Sequence, residues 1–361
     1  MQWKGHEKGM GIGGWRTNYK RFNCIPMDKR LDLTVGDYEH FDSFITRKDV
    51  EYIASLGFDH IRLGFDQIVV EESPFVYRER TMRKLDEFVR WCVEAGVRPV
   101  LNLHKAVGNY CDIPEKVMLL DDEILQNRFV ALWEELERRY SGENLVAFEL
   151  LNEVRNVDAD KWNALCTRTL AAIRRLNRDR LVIVGGTDWN SAHVLYKMKT
   201  YDDPNVIYTF HMYEPFEFTH QRGVLQAPTL YYNRALSYPC ADVERYRDYH
   251  RLVLKNDNTY KDFDVVGIEY LRKAMAGAKR FRDENPDKVL WLGEFGTIRH
   301  ADLESRENYM RDVISICREW EIPYCVWNYL STPNDGNRFS LVDDDTRKVL
   351  SPRLEKIITG R

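Results

Sequence analysis

The chain has 361 residues, 57 acidic against 53 Lys plus Arg, and a formal net charge of −4. A near-neutral balance with no long basic run offers no electrostatic footprint for nucleic acid. No stretch approaches the ~18 consecutive apolar residues of a membrane span, and the polar opening Met1 to Met10 lacks a signal-peptide apolar region. The chain as given is therefore expected in the cytoplasm, or outside the cell if it is a processed form.

The seven cysteines are Cys24, Cys92, Cys111, Cys166, Cys240, Cys317 and Cys325; none forms a C-x-x-C pair. Cys92, Cys166 and Cys317 fall on apolar helical stripes, where a free thiol behaves as a small hydrophobe. The nine histidines show no H-x-x-x-H spacing, so neither a metal nor a cofactor is expected.

In chain order, a short first strand is expected at 10–13. Thr46 opens a helix with Asp49 as capping partner, Val50, Ile53 and Ala54 form its apolar stripe, and Gly57 ends it. A strand follows at 58–63. Leu85, Phe88, Val89 and Cys92 give helical spacing up to Gly96. Strands are then expected at 97–103, 145–151, 181–184, 206–210, 289–292 and 324–327, and helices at 124–140, 162–176 and 303–320. Eight strands alternating with helices predict an α/β chain of (β/α)8 architecture, one catalytic domain over 1–361.

One connection is far longer than an ordinary strand-to-helix link: about 75 residues separate Tyr213 from Val289. It carries Phe216, Phe218, Tyr231, Tyr232, Tyr238, Tyr246, Tyr249 and Tyr260, too aromatic for disorder. It is expected to form a lid insertion, 214–262, on the catalytic face after strand six.

Two of the apolar runs end on glutamate. Leu145-Val146-Ala147-Phe148-Glu149-Leu150-Leu151-Asn152 leads into Glu153, and Val289-Leu290-Trp291-Leu292-Gly293 leads into Glu294. Parallel barrel strands deliver their C-terminal ends to one face, so the two carboxyls can meet across a pocket. Two carboxylates facing one cleft are the minimal equipment for breaking a glycosidic bond. Other strand ends supply polar or aromatic residues: Arg62, Asn102 and His104, Asn152, then Asp188, Trp189 and Asn190, then His211 and Tyr213, and finally Trp327 and Asn328.

The set Arg62, His104, Asn152-Glu153, His211-x-Tyr213, Glu294 and Trp327 resembles glycoside hydrolase family 5, the cellulase-type barrels. The opening Gly13-Gly14-Trp15, the run Phe148 to Val154 and the segment Phe218-Thr219-His220-Gln221 are similar to its clostridial members. The resemblance implies Glu153 as acid/base and Glu294 as nucleophile, with Arg62, His104, Asn152, His211, Tyr213, Trp327 and Trp189 binding substrate or supporting the pair. It implies a β-glucan as partner, with no nucleic acid or membrane, for a monomeric retaining endo-β-glucanase on β-1,4 or mixed β-1,3-1,4 linkages. The alternative is a β-mannanase or glucomannanase, or an exo-β-glucosidic hydrolase, on the same barrel. Many relatives carry a second His after the strand-three His; Lys105 stands there here, which puts one sugar contact in doubt.

Gly9-Met10-Gly11-Ile12-Gly13-Gly14 matches the dinucleotide-binding pattern, but a polar segment precedes it and no helix start follows. Asp121-Asp122-Glu123 suits the opening turn of a helix, and Asp343-Asp344-Asp345 reads as a turn rather than a calcium loop.

Overall fold

A computed structural model describes residues 3–17, 33–109, 117–155, 157–224, 227–255, 259–332 and 335–361. Cys24 and Cys111 lie outside the described residues, and the other five cysteines are buried free thiols. Eight parallel strands close a barrel: β1 (Lys8–Arg16), β2 (His60–Asp66), β3 (Arg98–Lys105), β4 (Ala147–Glu149), β5 (Leu181–Gly185), β6 (Val206–Met212), β7 (Val289–Phe295) and β8 (Tyr324–Val326). Each strand lies beside its predecessor, and β1 pairs with β8 through Lys8↔Tyr324, Gly9↔Cys325 and Met10↔Val326 to close the ring.

Helices α1 (Arg47–Ser55), α2 (Glu79–Glu94), α3 (Glu123–Arg139), α4 (Ala159–Leu176) and α5 (Leu303–Glu319) carry the expected apolar stripes, and a further helix, α6 (Pro352–Thr359), follows β8. Asp49 accepts from the Thr46 backbone N–H at 2.8 Å, and Gly57 leaves α1 with φ +80°, as the capping signals anticipate. Asp122 caps α3 by accepting from the N–H groups of Ile124 and Leu125. The Asp343 carboxylate folds onto the backbone of Asp345 and Thr346, so that acidic run is a turn. No helix among the described residues is long and apolar enough to cross a membrane.

Two strands differ from expectation in ways that shape the site. β2 continues through Gly64 and Phe65 to Asp66, which leaves Arg62 within the strand and fully buried instead of at its tip. β4 stops at Glu149; beyond it Leu150 donates to Ile183 of β5 and Asn152 donates to Leu103 of β3. The chain therefore stays wedged between both neighbours while it turns Asn152 and Glu153 into the barrel mouth.

The glycines of the opening motif serve packing. A Cβ on Gly11 would lie 2.7 Å from the Trp327 ring and one on Gly13 2.5 Å from it, so both must be bare for that indole to lie over β1. At the opposite end the polar opening segment hides two ring residues. Trp3 packs edge-on to Trp291 at 5.7 Å, His6 stacks on Trp3 at 4.0 Å, and both are buried. They close the barrel floor.

Between β6 and β7 the chain forms short helices at Phe216–Thr219, Ala227–Tyr232, Val243–Tyr249, Ile268–Ala274 and Ala276–Glu284. Phe218, Tyr238, Tyr246, Tyr249 and Tyr260 are buried, whereas Tyr231 is 82% exposed. Phe218 and Tyr238 pack on Tyr309 of α5, and the Tyr238 hydroxyl donates to Asp312 at 3.0 Å. Most of the aromatic richness of this connection thus joins the apolar core that the strands and outer helices share. Its first turn touches the rim: Thr219 donates its hydroxyl to the carbonyl of Tyr213 at 2.5 Å, and Ile298 N–H donates to the Thr219 carbonyl at 2.8 Å.

Candidate active site

Arg62 is the hub of the barrel interior. Its Nε and Nη2 donate to Glu149 at 2.6 and 2.9 Å, Nη2 also donates to Asn152 Oδ1 at 2.7 Å, and Nη1 donates to Glu294. Buried ions cost several kcal/mol each unless paired and well hydrogen-bonded, and this guanidinium has two carboxylate partners and four hydrogen bonds. Burial pulls its pKa down, but Glu149 and Glu294 outweigh that and leave it above the ordinary guanidinium value.

Glu294, the penultimate residue of β7, also accepts from the Tyr213 hydroxyl at 2.8 Å. Burial lifts its carboxyl above the ordinary range, with His211 and Arg62 pulling it back. Arg62 therefore moderates the rise without reversing it. The Tyr213 phenol is pushed well up, by burial first and then by Glu294 and Glu153, so it remains a donor.

Glu153 follows β4 with φ +43°, a left-handed conformation that a glutamate adopts only when its surroundings impose it. His211 Nδ1 lies 2.8 Å from Glu153 Oε1 and 3.8 Å from Glu294 Oε2. One oxygen of each carboxyl and one nitrogen of His211 all lie within 4.8 Å of one another. The Glu153 side chain is 21% exposed against 4% for Glu294, so solvent reaches the first and hardly the second.

Two more residues fix the imidazoles. Asn190 Nδ2 faces His211 Nε2 at 3.4 Å, which leaves Nδ1 as the protonated nitrogen that donates to Glu153. His104 Nδ1 faces Asn102 Oδ1 at 2.9 Å, and its Nε2 faces Asn152 Nδ2 at 3.5 Å. Trp327 lies nearly parallel to the His104 ring, centroids 5.6 Å apart, with the Arg62 guanidinium 5.9 Å from its own centroid. Trp189 stands farther out, after β5. It is 42% exposed, in a run of three left-handed residues with Asp188 and Asn190, and its N–H donates to the carbonyl of Val154.

The residues expected from the sequence thus gather at one mouth of the barrel, with Trp189 at its rim. The residue missed is Glu149. A carboxyl inside an apolar strand requires a cation, and Arg62 inside another apolar strand requires an anion, so each was a signal for the other. Lys105 is buried at the end of β3, in register with Asp66. The cluster Glu153, His211 and Glu294 has ligand atoms spaced for a metal. Arg62, however, already donates to Glu294, and its positive charge would face any dication bound there.

Residues 26–332 match the family model for cellulase, glycosyl hydrolase family 5. The chain belongs to that family. It is 35% identical over 360 residues to endoglucanase C of Acetivibrio thermocellus, covering 98% of each chain. Among solved structures, Thermotoga maritima Cel5A in complex with cellobiose is 23% identical at TM-score 0.75, covering 99% of this chain and 97% of that one. The same Thermotoga protein in complex with mannotriose gives 23% identity and TM-score 0.71, covering 97% and 96%. These likenesses establish the family 5 barrel.

The buried histidines bear on acid stability. His6 and His104 are held well below the usual histidine pKa, and His211 and His220 are lowered to about 4 and about 3, burial being the first cause for all four. In the unfolded chain each protonates near 6.5. Below that pH the unfolded state binds more protons than the native one. The stability is therefore complete above about pH 6.5 and declines as pH falls toward the folded values, by at most ~1.4 kcal/mol per unit for each histidine. Glu294, raised by burial, acts in the opposite sense at lower pH. The urea midpoint is expected to be lower at pH 5 than at pH 7; equal midpoints would contradict this account.

Proposed function

We propose that the chain is a retaining endo-β-glucanase acting as a monomer on β-1,4 or mixed β-1,3-1,4 glucans, with Glu294 as nucleophile and Glu153 as acid/base. The observation that carries the reading is the carboxylate pair with oxygens within 4.8 Å. Retaining enzymes hold their carboxyl groups ~5–5.5 Å apart, whereas inverting ones leave ~6.5–9.5 Å for a water.

In the first step Glu294 attacks the anomeric carbon and forms a glycosyl ester as the glycosidic bond breaks. Glu153 gives its proton to the departing sugar oxygen. His211 holds Oε1 of Glu153 at 2.8 Å and so orients that carboxyl toward the sugar oxygen. The negative charge of Glu294 favours the protonated form of Glu153. Once the ester forms, that charge is gone; Glu153, now ionised, takes a proton from water, and the resulting hydroxide oxygen displaces Glu294 at the anomeric carbon. Asn152 bonds the sugar 2-hydroxyl in the oxocarbenium-like transition state, Trp327 lies under the pyranose, and Trp189 offers an apolar face at the rim.

The excursion 214–262 serves as a lid that narrows the groove, supported by the bonds from Thr219 and Ile298 that tie its first turn to the rim. Extra binding surface of that kind acts on long substrates more than on short ones. A mannan- or glucomannan-directed enzyme is the second reading, favoured by the mannotriose complex of the Thermotoga relative. A product panel on lichenan, carboxymethylcellulose and glucomannan tests both. Mixed oligosaccharides from lichenan early in the reaction, with kcat/KM rising with chain length, are expected. Faster cleavage of glucomannan than lichenan selects the second reading, and no cleavage of any of the three refutes both.

A further inference from the structure

Glu149 enters none of those steps, yet it holds more of Arg62 than Glu294 does. Its two oxygens receive Nε and Nη2 in a fork-on-fork pair, the most directional carboxylate–guanidinium geometry, and the residue is wholly buried. What remains is Nη1 for Glu294 and a shared Nη2 contact for Asn152. β4 fixes this arrangement from two sides, because Glu149 pairs in register with Asn102 of β3 and Ile183 of β5.

We propose that Glu149 is a positioning residue that divides the charge of Arg62, aiming one edge of the guanidinium at Glu294 while withholding the rest of its charge from it. The inference rests on the reading of Glu294 as nucleophile. A guanidinium committed to Glu294 alone would stabilise that carboxylate in the ground state and blunt its attack. Shared between two carboxylates, one cation leaves a residual negative charge in the layer. That charge keeps Glu294 basic and favours the proton on Glu153. The raised carboxyl of Glu294 accords with a cation only partly available to it. The charged or titratable groups facing this layer are Arg62 from β2, His104 and Lys105 from β3, Glu149 and Glu153 from β4 and the turn beyond it, His211 and Tyr213 from β6, and Cys325 from β8.

The test is the pH profile of kcat/KM on an aryl cellobioside for wild type and Glu149→Gln, with thermal melting alongside. Glutamine keeps the volume and removes the charge. Arg62 then acts undivided on Glu294, and the layer loses a negative charge that both catalytic carboxyls feel. Both limbs of the bell, which belong to the coupled pair, are expected to move to lower pH by about one unit, with about tenfold or greater loss at the optimum. A merely structural role would lower the melting temperature and the amplitude and leave the limbs in place; unmoved limbs overturn the proposal. If Glu149→Gln does not fold, Glu149→Asn decides: it also removes the charge, so its limbs should lie about one unit below those of wild type, whereas the charge-keeping control Glu149→Asp should leave them in place. Unmoved limbs in Glu149→Asn, or displaced limbs in Glu149→Asp, overturn the proposal. Should the wild type itself cleave neither glucan nor aryl cellobioside, the functional reading fails, and it fails before any variant is compared.

Discussion

Glutamine in place of Glu294 or Glu153 is expected to lower kcat on unactivated glucans by on the order of 10⁴-fold, because each step needs both groups. The barrel should survive, since both side chains keep their volume at the mouth. The two variants separate with an activated aryl cellobioside, whose leaving group needs little protonation. Glu153→Ala should still form the glycosyl ester and then stall. Azide, a small anion that fills the space left by the carboxylate, attacks the ester and gives a β-glycosyl azide with restored turnover. Glu294→Ala has no nucleophile, and azide entering from the opposite face of the sugar gives the α-azide. Chiral assignment of the azide product by NMR decides the matter. An α-azide from Glu153→Ala would reverse the two roles.

The second large effect concerns Arg62. Its guanidinium satisfies Glu149, Asn152 and Glu294 at once. Removing one partner of a buried ionic group leaves uncompensated charge, and here two carboxylates lose their cation together. Arg62→Met is expected to destabilise the fold by about 3–5 kcal/mol, read as a drop in the urea midpoint. Arg62→Lys keeps the charge as a single ammonium, which cannot hold three partners as a planar fork does. It should retain most of the stability and lose about 10²-fold or more in kcat, since both Glu294 and Asn152 are left poorly oriented. A lysine variant with wild-type kcat would show that charge alone suffices and that the fork geometry is irrelevant.

The barrel was legible because its strands are apolar runs bounded by helices with ordinary caps, and periodicity reports both. That Glu153 and Glu294 meet was legible because they end such runs, where one barrel face collects them. Glu149 was hidden by its neighbours. Four residues from Glu153 in the same run, it looked like the approach to a site instead of part of one, and the closed barrel shows the cation it meets, Arg62 of β2. The floor was hidden differently. A lone Trp3 in a polar decapeptide has no periodic partner, and its partner Trp291 lies nearly 300 residues away in sequence. For the aromatic connection the sequence could not say which rings pack inward, because composition does not tell a ring that faces a cleft from one that, like Phe218 or Tyr238, meets Tyr309.

The pairing of β1 with β8 has a consequence for how the molecule comes into being. Lys8 and Tyr324, the residues in register at that seam, lie close to opposite ends of the chain, so joining them closes one of the longest loops the sequence allows. Contacts of such sequence separation form slowly and late, and synthesis proceeds from the other end. While the ribosome still holds the last strand, the nascent chain has seven strands with an open edge, no Trp327 over Gly11 and Gly13, and no enclosed mouth around Arg62. Unpaired edges of that kind are where partly made α/β chains aggregate. The seam that completes the pocket is thus also the point at which the newborn chain is most in need of protection.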